Sequence, residues 1–304
     1  GGPRRPGPSW WYGIMPFMEQ RNIYDKIAAT QRIGEGPCRF AFNGTGWLDD
    51  PDTVPVARDL EKLVPDFMVC PSSPLDLFRN QTGGSGVRAH YTGIMGGTDI
   101  AAAPAPGATA YLPQFGVPTS SQVYNNRGWR VGGADNGILT SSGMLPICEH
   151  TNIAKCSDGT SNTMIVGEQS DWLGHTDTTV STKFYGNASH TTSGWRSGWV
   201  TGTGYRAATR TSQGGGFNSY SCNLTTVRYK PDLKRVLFGT TPAEGCDEQH
   251  HTGLGINNPL QSPHPGGVLV AFVDGSVQFV AGTTDLAILL RIAIRDDGQN
   301  VNID

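Results

Sequence analysis

The stretch Gly266–Ala281, GGVLVAFVDGSVQFVA, constrains the fold of this chain more than any other. Two runs rich in β-branched and aromatic residues, Val268–Val273 and Ser276–Val280, flank Asp274-Gly275. Asp-Gly between such runs is the strongest short-range hairpin signal, because a two-residue type I′ turn needs positive φ at both central positions. The run VLVAFV is apolar at every position, so this strand is expected to lie inside a sheet with both faces covered.

Elsewhere the sequence alternates short apolar islands with long polar loops. Tyr91–Met95, Ile138–Leu139, Met164–Val166 and Trp195–Val200 read as strands. Gly (41) and Pro (20) make about a fifth of the 304 residues, against a usual share of roughly 12%, which favours loops over long helices. Three helical windows remain. Ile14, Phe17, Met18, Ile23 and Ile27 recur at spacings near three and four, predicting a helix over 10–29 with Pro16 in its first turn. A second is predicted over 54–64, with Val56, Leu60, Leu63 and Val64 on one face, Asp52 or Thr53 as cap and Pro65 ending it. Phe67–Cys70 then reads as a short buried strand. The third runs over 284–295 on the stripe Leu286, Leu289, Leu290 and Ile294, capped by Thr283 or Thr284 and ended by Asp297-Gly298. The expected fold is α+β, mainly β: an antiparallel sheet with long loops and short N- and C-terminal helices. Residues 10–304 are expected to form one globular domain. Residues 1–9, rich in Gly and Pro, read as a linker remnant from which upstream residues have been removed.

Charged residues are 16% of the chain and the net charge is −3. A coiled coil and a charge-rich disordered tail are excluded on that basis, and a nucleic-acid binder would need a basic stripe that is missing here. The longest apolar run is Val268–Val273, far short of the ~20 residues of a membrane-spanning helix.

Residues able to do chemistry are scattered. Asp247, Glu248, His250 and His251 follow Cys246 but lack the spacing of a helical zinc-protease motif; they define a metal-dependent hydrolase as one alternative. No nucleophile elbow or dinucleotide fingerprint is present, so no catalytic residue is assigned. Calcium is the cofactor best suited to the Asp- and Asn-rich loops, with Asp158, Asn162, Asp296 and Asp297 as candidate oxygen ligands against ordinary Asx turns. Trp195, Trp199 and Tyr205 fall in loop-rich sequence and could present an aromatic platform to a polysaccharide. Six cysteines without a Cys-x-x-Cys pair suit disulfides in an oxidising compartment. Nearest-neighbour pairing gives Cys38–Cys70, Cys148–Cys156 and Cys222–Cys246, one of fifteen connectivities, with free buried thiols as the alternative.

Several stretches, in order from about residue 10 to 295, together resemble one family. They are Trp10-Trp11 leading to Pro16-Phe17-Met18-Glu19-Gln20, Phe67-Met68-Val69-Cys70-Pro71-Ser72, Ser157–Thr163 with Gly167-Glu168, the Cys222–Cys246 segment, and His264 followed by nine residues and Asp274-Gly275. This pattern resembles the prepilin-type, processing-associated domain of unknown function expanded in planctomycete bacteria, whose signature here is His264, Asp274 and Gly275. The resemblance implies a type IV pilin- or pseudopilin-like head domain, located at the cell surface, outside the cell or in the periplasm. Its implied partners are other pilin-like subunits or cell-surface components. Family members begin with a pilin leader and an apolar anchoring helix. This sequence shows neither, so membrane contact is expected of the parent and not of this chain. A structural role follows for the signature residues, with His264 bonding loop backbone or the Asp274 carboxylate. A polysaccharide-binding module and the metal-dependent hydrolase are the alternatives.

Overall fold

A computed structural model describes residues 9–30, 63–78, 87–98, 128–130, 138–146, 151–175, 183–185, 199, 203–204, 220–221, 223–236, 257–299, 301 and 303. Along them run α1 (Trp10–Ile14), α2 (Arg21–Thr30), β1 (Tyr91–Gly97), β2 (Gly128–Arg130), β3 (Ile138–Thr140), β4 (Met164–Glu168), β5 (Trp172–His175), β6 (Lys183–Tyr185), β7 (Thr203–Gly204), β8 (Tyr220–Ser221), β9 (Leu224–Val227), β10 (Arg235–Val236), β11 (Gly267–Phe272), β12 (Val277–Ala281) and α3 (Leu286–Ile292). The protein is α+β and mainly β. Its main sheet has the order β12-β11-β4-β1-β9. This sheet is mixed, not antiparallel as expected, because β9 joins β1 in parallel. Parallel pairing needs a long crossover, and the chain between β1 and β9 provides one.

The hairpin forms, with β11 an interior strand between β12 and β4. Its turn differs from the expected two-residue type I′. Phe272 N donates to Ser276 O at 2.9 Å and Gly275 N to Phe272 O at 3.0 Å, which leaves a three-residue loop. Gly275 alone in that loop has positive φ, at 87°. Asp274 Oδ1 accepts the Ser276 N–H at 2.9 Å and its hydroxyl at 2.7 Å. An aspartate able to cap its own turn favours the longer loop with glycine at the left-handed position.

Helix α3 packs beneath this sheet. Leu286, Leu289, Leu290 and Ile292 share a core with Ile94, Met164, Val268, Val270, Phe272 and Val280. The helix is shorter than predicted, and Asp285 replaces Thr283 or Thr284 as its cap, its carboxylate accepting the Ala287 N–H at 2.7 Å. The helix presses on the sheet at Gly97, where a Cβ would lie 2.6 Å from the Leu290 carbonyl oxygen.

The predicted helix over 10–29 is broken into α1, a 3₁₀ turn at Met15–Phe17 and α2. Pro16 cannot donate to the preceding turn, and Glu19, at φ 57°, redirects the chain. Trp11, Tyr12, Met15 and Ile23 from this region form a second core with Met68, Val87, Ala89 and Trp199. Phe67–Cys70 is not a strand: Asp66–Met68 is a 3₁₀ turn, closed by Met68 N on Pro65 O at 2.9 Å. Of the predicted 54–64 helix, only residues 63–64 lie within the described residues, outside any helix. Among the described residues no helix is long and apolar enough to cross a membrane.

Candidate metal centre

At one end of the main sheet Tyr91 opens β1 opposite Glu168, the last residue of β4. The neighbouring segments are tied to this corner through their backbones. Gln169 N donates to His90 O, Gln261 N to Glu168 O and Ser170 N to Gln261 O, each at 2.9 Å, while His90 N donates to Met68 O at 2.8 Å. Side chains complete the junction. The Gln169 amide donates to Asn258 O at 2.8 Å, the Gln261 amide to Asp171 O at 3.0 Å, and the Ser73 hydroxyl to Ser170 O at 2.7 Å. These bonds place Cys70, Glu168 and His264, which are distant in sequence, side by side.

The His264 Nε2 lies 3.6 Å from Glu168 Oε1 and 3.9 Å from Cys70 Sγ. All three ligand atoms fall within 4.8 Å of one another. Cys70 and Glu168 are 3% and 1% exposed, whereas the His264 side chain is 36% exposed and opens the group to solvent. The other Glu168 oxygen, Oε2, accepts the Leu269 N–H at 2.7 Å, which fixes the carboxylate.

Two further groups line the corner. The His90 Nδ1 accepts the Cys70 N–H at 3.0 Å, so its hydrogen resides on Nε2. Burial, aided by the Arg88 charge and outweighing the opposing Cys70 hydrogen bond, pushes this imidazole down to about 4 and keeps it neutral. Burial, reinforced by Cys70 and Glu168, pushes the Tyr91 phenol up to about 12.

A Cys–His–acid relay needs the thiol on one ring nitrogen and the acid on the other. Here the same Nε2 faces both. A cation at the centre could instead engage sulfur, nitrogen and oxygen together.

The other candidate residues have different fates. His264 and Asp274 do not meet: His264 joins the corner, and Asp274 lies at the hairpin tip, bonded to Ser276. The two Ser276 bonds hold the Asp274 carboxyl below the ordinary carboxylate value. The six-residue strand between them, at ~3.3 Å per residue, keeps the pair apart.

Trp199 is wholly buried, with Nε1 donating to Leu63 O at 3.1 Å. This corrects its expected place on a sugar-binding platform, because an indole inside a core has no face to offer. Cys70 and Cys156 are free thiols, which corrects the Cys38–Cys70 and Cys148–Cys156 pairings. Cys156 instead lies against the Thr163 hydroxyl at 3.2 Å and Gly159 O at 3.4 Å.

Of the proposed calcium ligands, Asp158, Asn162 and the turn at Asp297 are joined as a clasp, whose bonds run to backbone groups. Asp158 accepts the Asp297 N–H at 2.6 Å and the Gly298 N–H at 2.9 Å. Asn162 donates to Asp158 O at 2.9 Å, and Asp296 faces Arg295 at 3.8 Å. Trp195, Tyr205, Cys38, Cys148, Cys222, Cys246, Asp247, Glu248, His250 and His251 lie outside the described residues.

Sequence reasoning missed Cys70 and Glu168 as partners of His264. No short ligand spacing links them. Their one signal is that each stands in a different stretch of the prepilin-type resemblance.

A family model described as "protein of unknown function (DUF1559)" matches residues 1–287. No curated protein and no solved structure matches the chain.

Proposed function

The chain belongs to the DUF1559 family, and from that premise we propose that it is a non-catalytic structural protein, the head domain of a pilin- or pseudopilin-like subunit. It works outside the cell or in the periplasm, in a surface or secretion-associated assembly, and its partners are further copies of the subunit. The observation that carries this reading is an apolar strip on the β11–β12 hairpin. Leu269 pairs with Phe279 across the strands and Ala271 with Val277, so all four share one face. Leu269, Val277 and Phe279 are 37%, 62% and 49% exposed. Among the described residues β12 is also an edge strand. Exposed apolar surface beside an unpaired strand edge is suited to contact with another subunit. The corner around Glu168 supports the non-catalytic side of the reading, because its Cys–His–Glu group lacks relay geometry.

The test is fractionation of the source cells, with wild type compared against Phe279→Glu. Wild-type protein is expected in sheared surface assemblies, and the variant, folded by circular dichroism, is expected to be released as free subunits. Recovery of wild type only as a free cytoplasmic protein would overturn the proposal, as would assembly unaffected by the charge.

A further inference from the structure

We propose that Cys70, Glu168 and His264 form a binding site for one borderline-soft divalent cation of the zinc class. The donors are a thiolate sulfur, an imidazole nitrogen and a carboxylate oxygen. That mixed set suits zinc and disfavours calcium and magnesium, which select oxygen ligands. The spacing fits as well. Zinc with bonds of about 2.3 Å to sulfur and 2.0 Å to nitrogen or oxygen holds tetrahedral donors roughly 3.3–3.6 Å apart. The observed 3.9 Å and 3.6 Å from His264 Nε2 are wider by a few tenths of an ångström, and all three donors lie within 4.8 Å of one another, so the ion draws the sulfur and the carboxylate inward as the His264 ring turns.

The surroundings orient the donors. Leu269 N–H holds Glu168 Oε2 and leaves Oε1 turned toward the imidazole. The Cys70 N–H is anchored on His90 Nδ1, so the sulfur is presented from a fixed backbone. Outer-shell bonds of this kind commonly set the orientation of metal ligands. One ring nitrogen can satisfy at most one of its two neighbours by a hydrogen bond, whereas an ion between them engages all three donors. Binding releases the Cys70 thiol proton to water. The exposure of the His264 side chain leaves a route for a water molecule to serve as fourth ligand. The ion would then join the segment before β1, the end of β4 and the segment before β11. This site is independent of where the protein is located or whether it assembles, so it can fail or succeed separately from the proposed function.

Cobalt titration of the full chain tests the assignment, because thiolate-bound Co²⁺ gives a near-ultraviolet charge-transfer band. One equivalent of Co²⁺ is expected to bind, with the band abolished by excess Zn²⁺. Cys70→Ser should lose the band, Cys156→Ser should keep it, and Glu168→Gln should weaken binding at least tenfold. His264→Ala, at the half-exposed donor, should also weaken binding at least tenfold and decides the matter if Cys70→Ser does not fold. A folded wild-type chain that binds no stoichiometric Co²⁺ or Zn²⁺ overturns the proposal, as does a band that survives Cys70→Ser or binding unchanged in His264→Ala.

Discussion

Asp158 illustrates how much one carboxylate can organise. Its two oxygens accept the N–H groups of Asp297 and Gly298, so the turn after α3 closes on a loop far back in sequence. Asp297 pays for this proximity in its own titration. Burial pushes its carboxyl up to about 6, and Asp158 pushes the same way, against the Gln299 N–H and the Arg291 charge. A raised pKa means that the folded chain retains a proton which the unfolded chain has already released. The associated stability is therefore complete below about pH 4 and is lost as the pH rises through 6. Asp297→Asn should gain on the order of 1 kcal/mol at pH 7, allowing for solvent screening of a half-buried group, and should flatten the stability profile between pH 4 and 6. Urea unfolding at pH 5 and pH 7 would show this; an unchanged pH dependence would contradict it. The sequence made both Asp-rich turns visible but not their contact. Trp199 was misread for a related reason, since local loop composition cannot say which way an indole points.

At the scale of elements, local chemistry was the most legible. The β11–β12 hairpin, the apolar stripe of α3 and the strands at Tyr91, Ile138 and Met164 all follow from patterning. The errors came where one residue outcompeted its neighbour. Asp285 took the cap from the threonines, Asp274 bonded Ser276 and lengthened the turn, and Pro16 with Glu19 divided the first helix. The packing of β1 on α3 gives a direct prediction. Because Gly97 leaves no room for a Cβ beside the rigid Leu290 carbonyl, Gly97→Ala should destabilise the protein by about 1–3 kcal/mol through overpacking. Chemical denaturation measures this, and a neutral result would mean that α3 does not press on β1 at this point.

Over the whole molecule, sequence patterning gave a mainly β class but neither the parallel β1–β9 pair nor the Cys70–Glu168–His264 corner. Both depend on contacts between distant segments, to which periodicity and motif spacing are blind. Only the resemblance hinted that those segments belong together. The central claim is that three motif stretches, those of Cys70, Glu168 and His264, meet at one end of the sheet on a framework held by the amides of His90, Gln169, Ser170 and Gln261. Native-state hydrogen exchange of these four amides tests it most directly. They are predicted to exchange only through global unfolding, with the same opening free energy as the interior of β11. Exchange at rates typical of exposed loops, while β11 stays protected, would contradict the account.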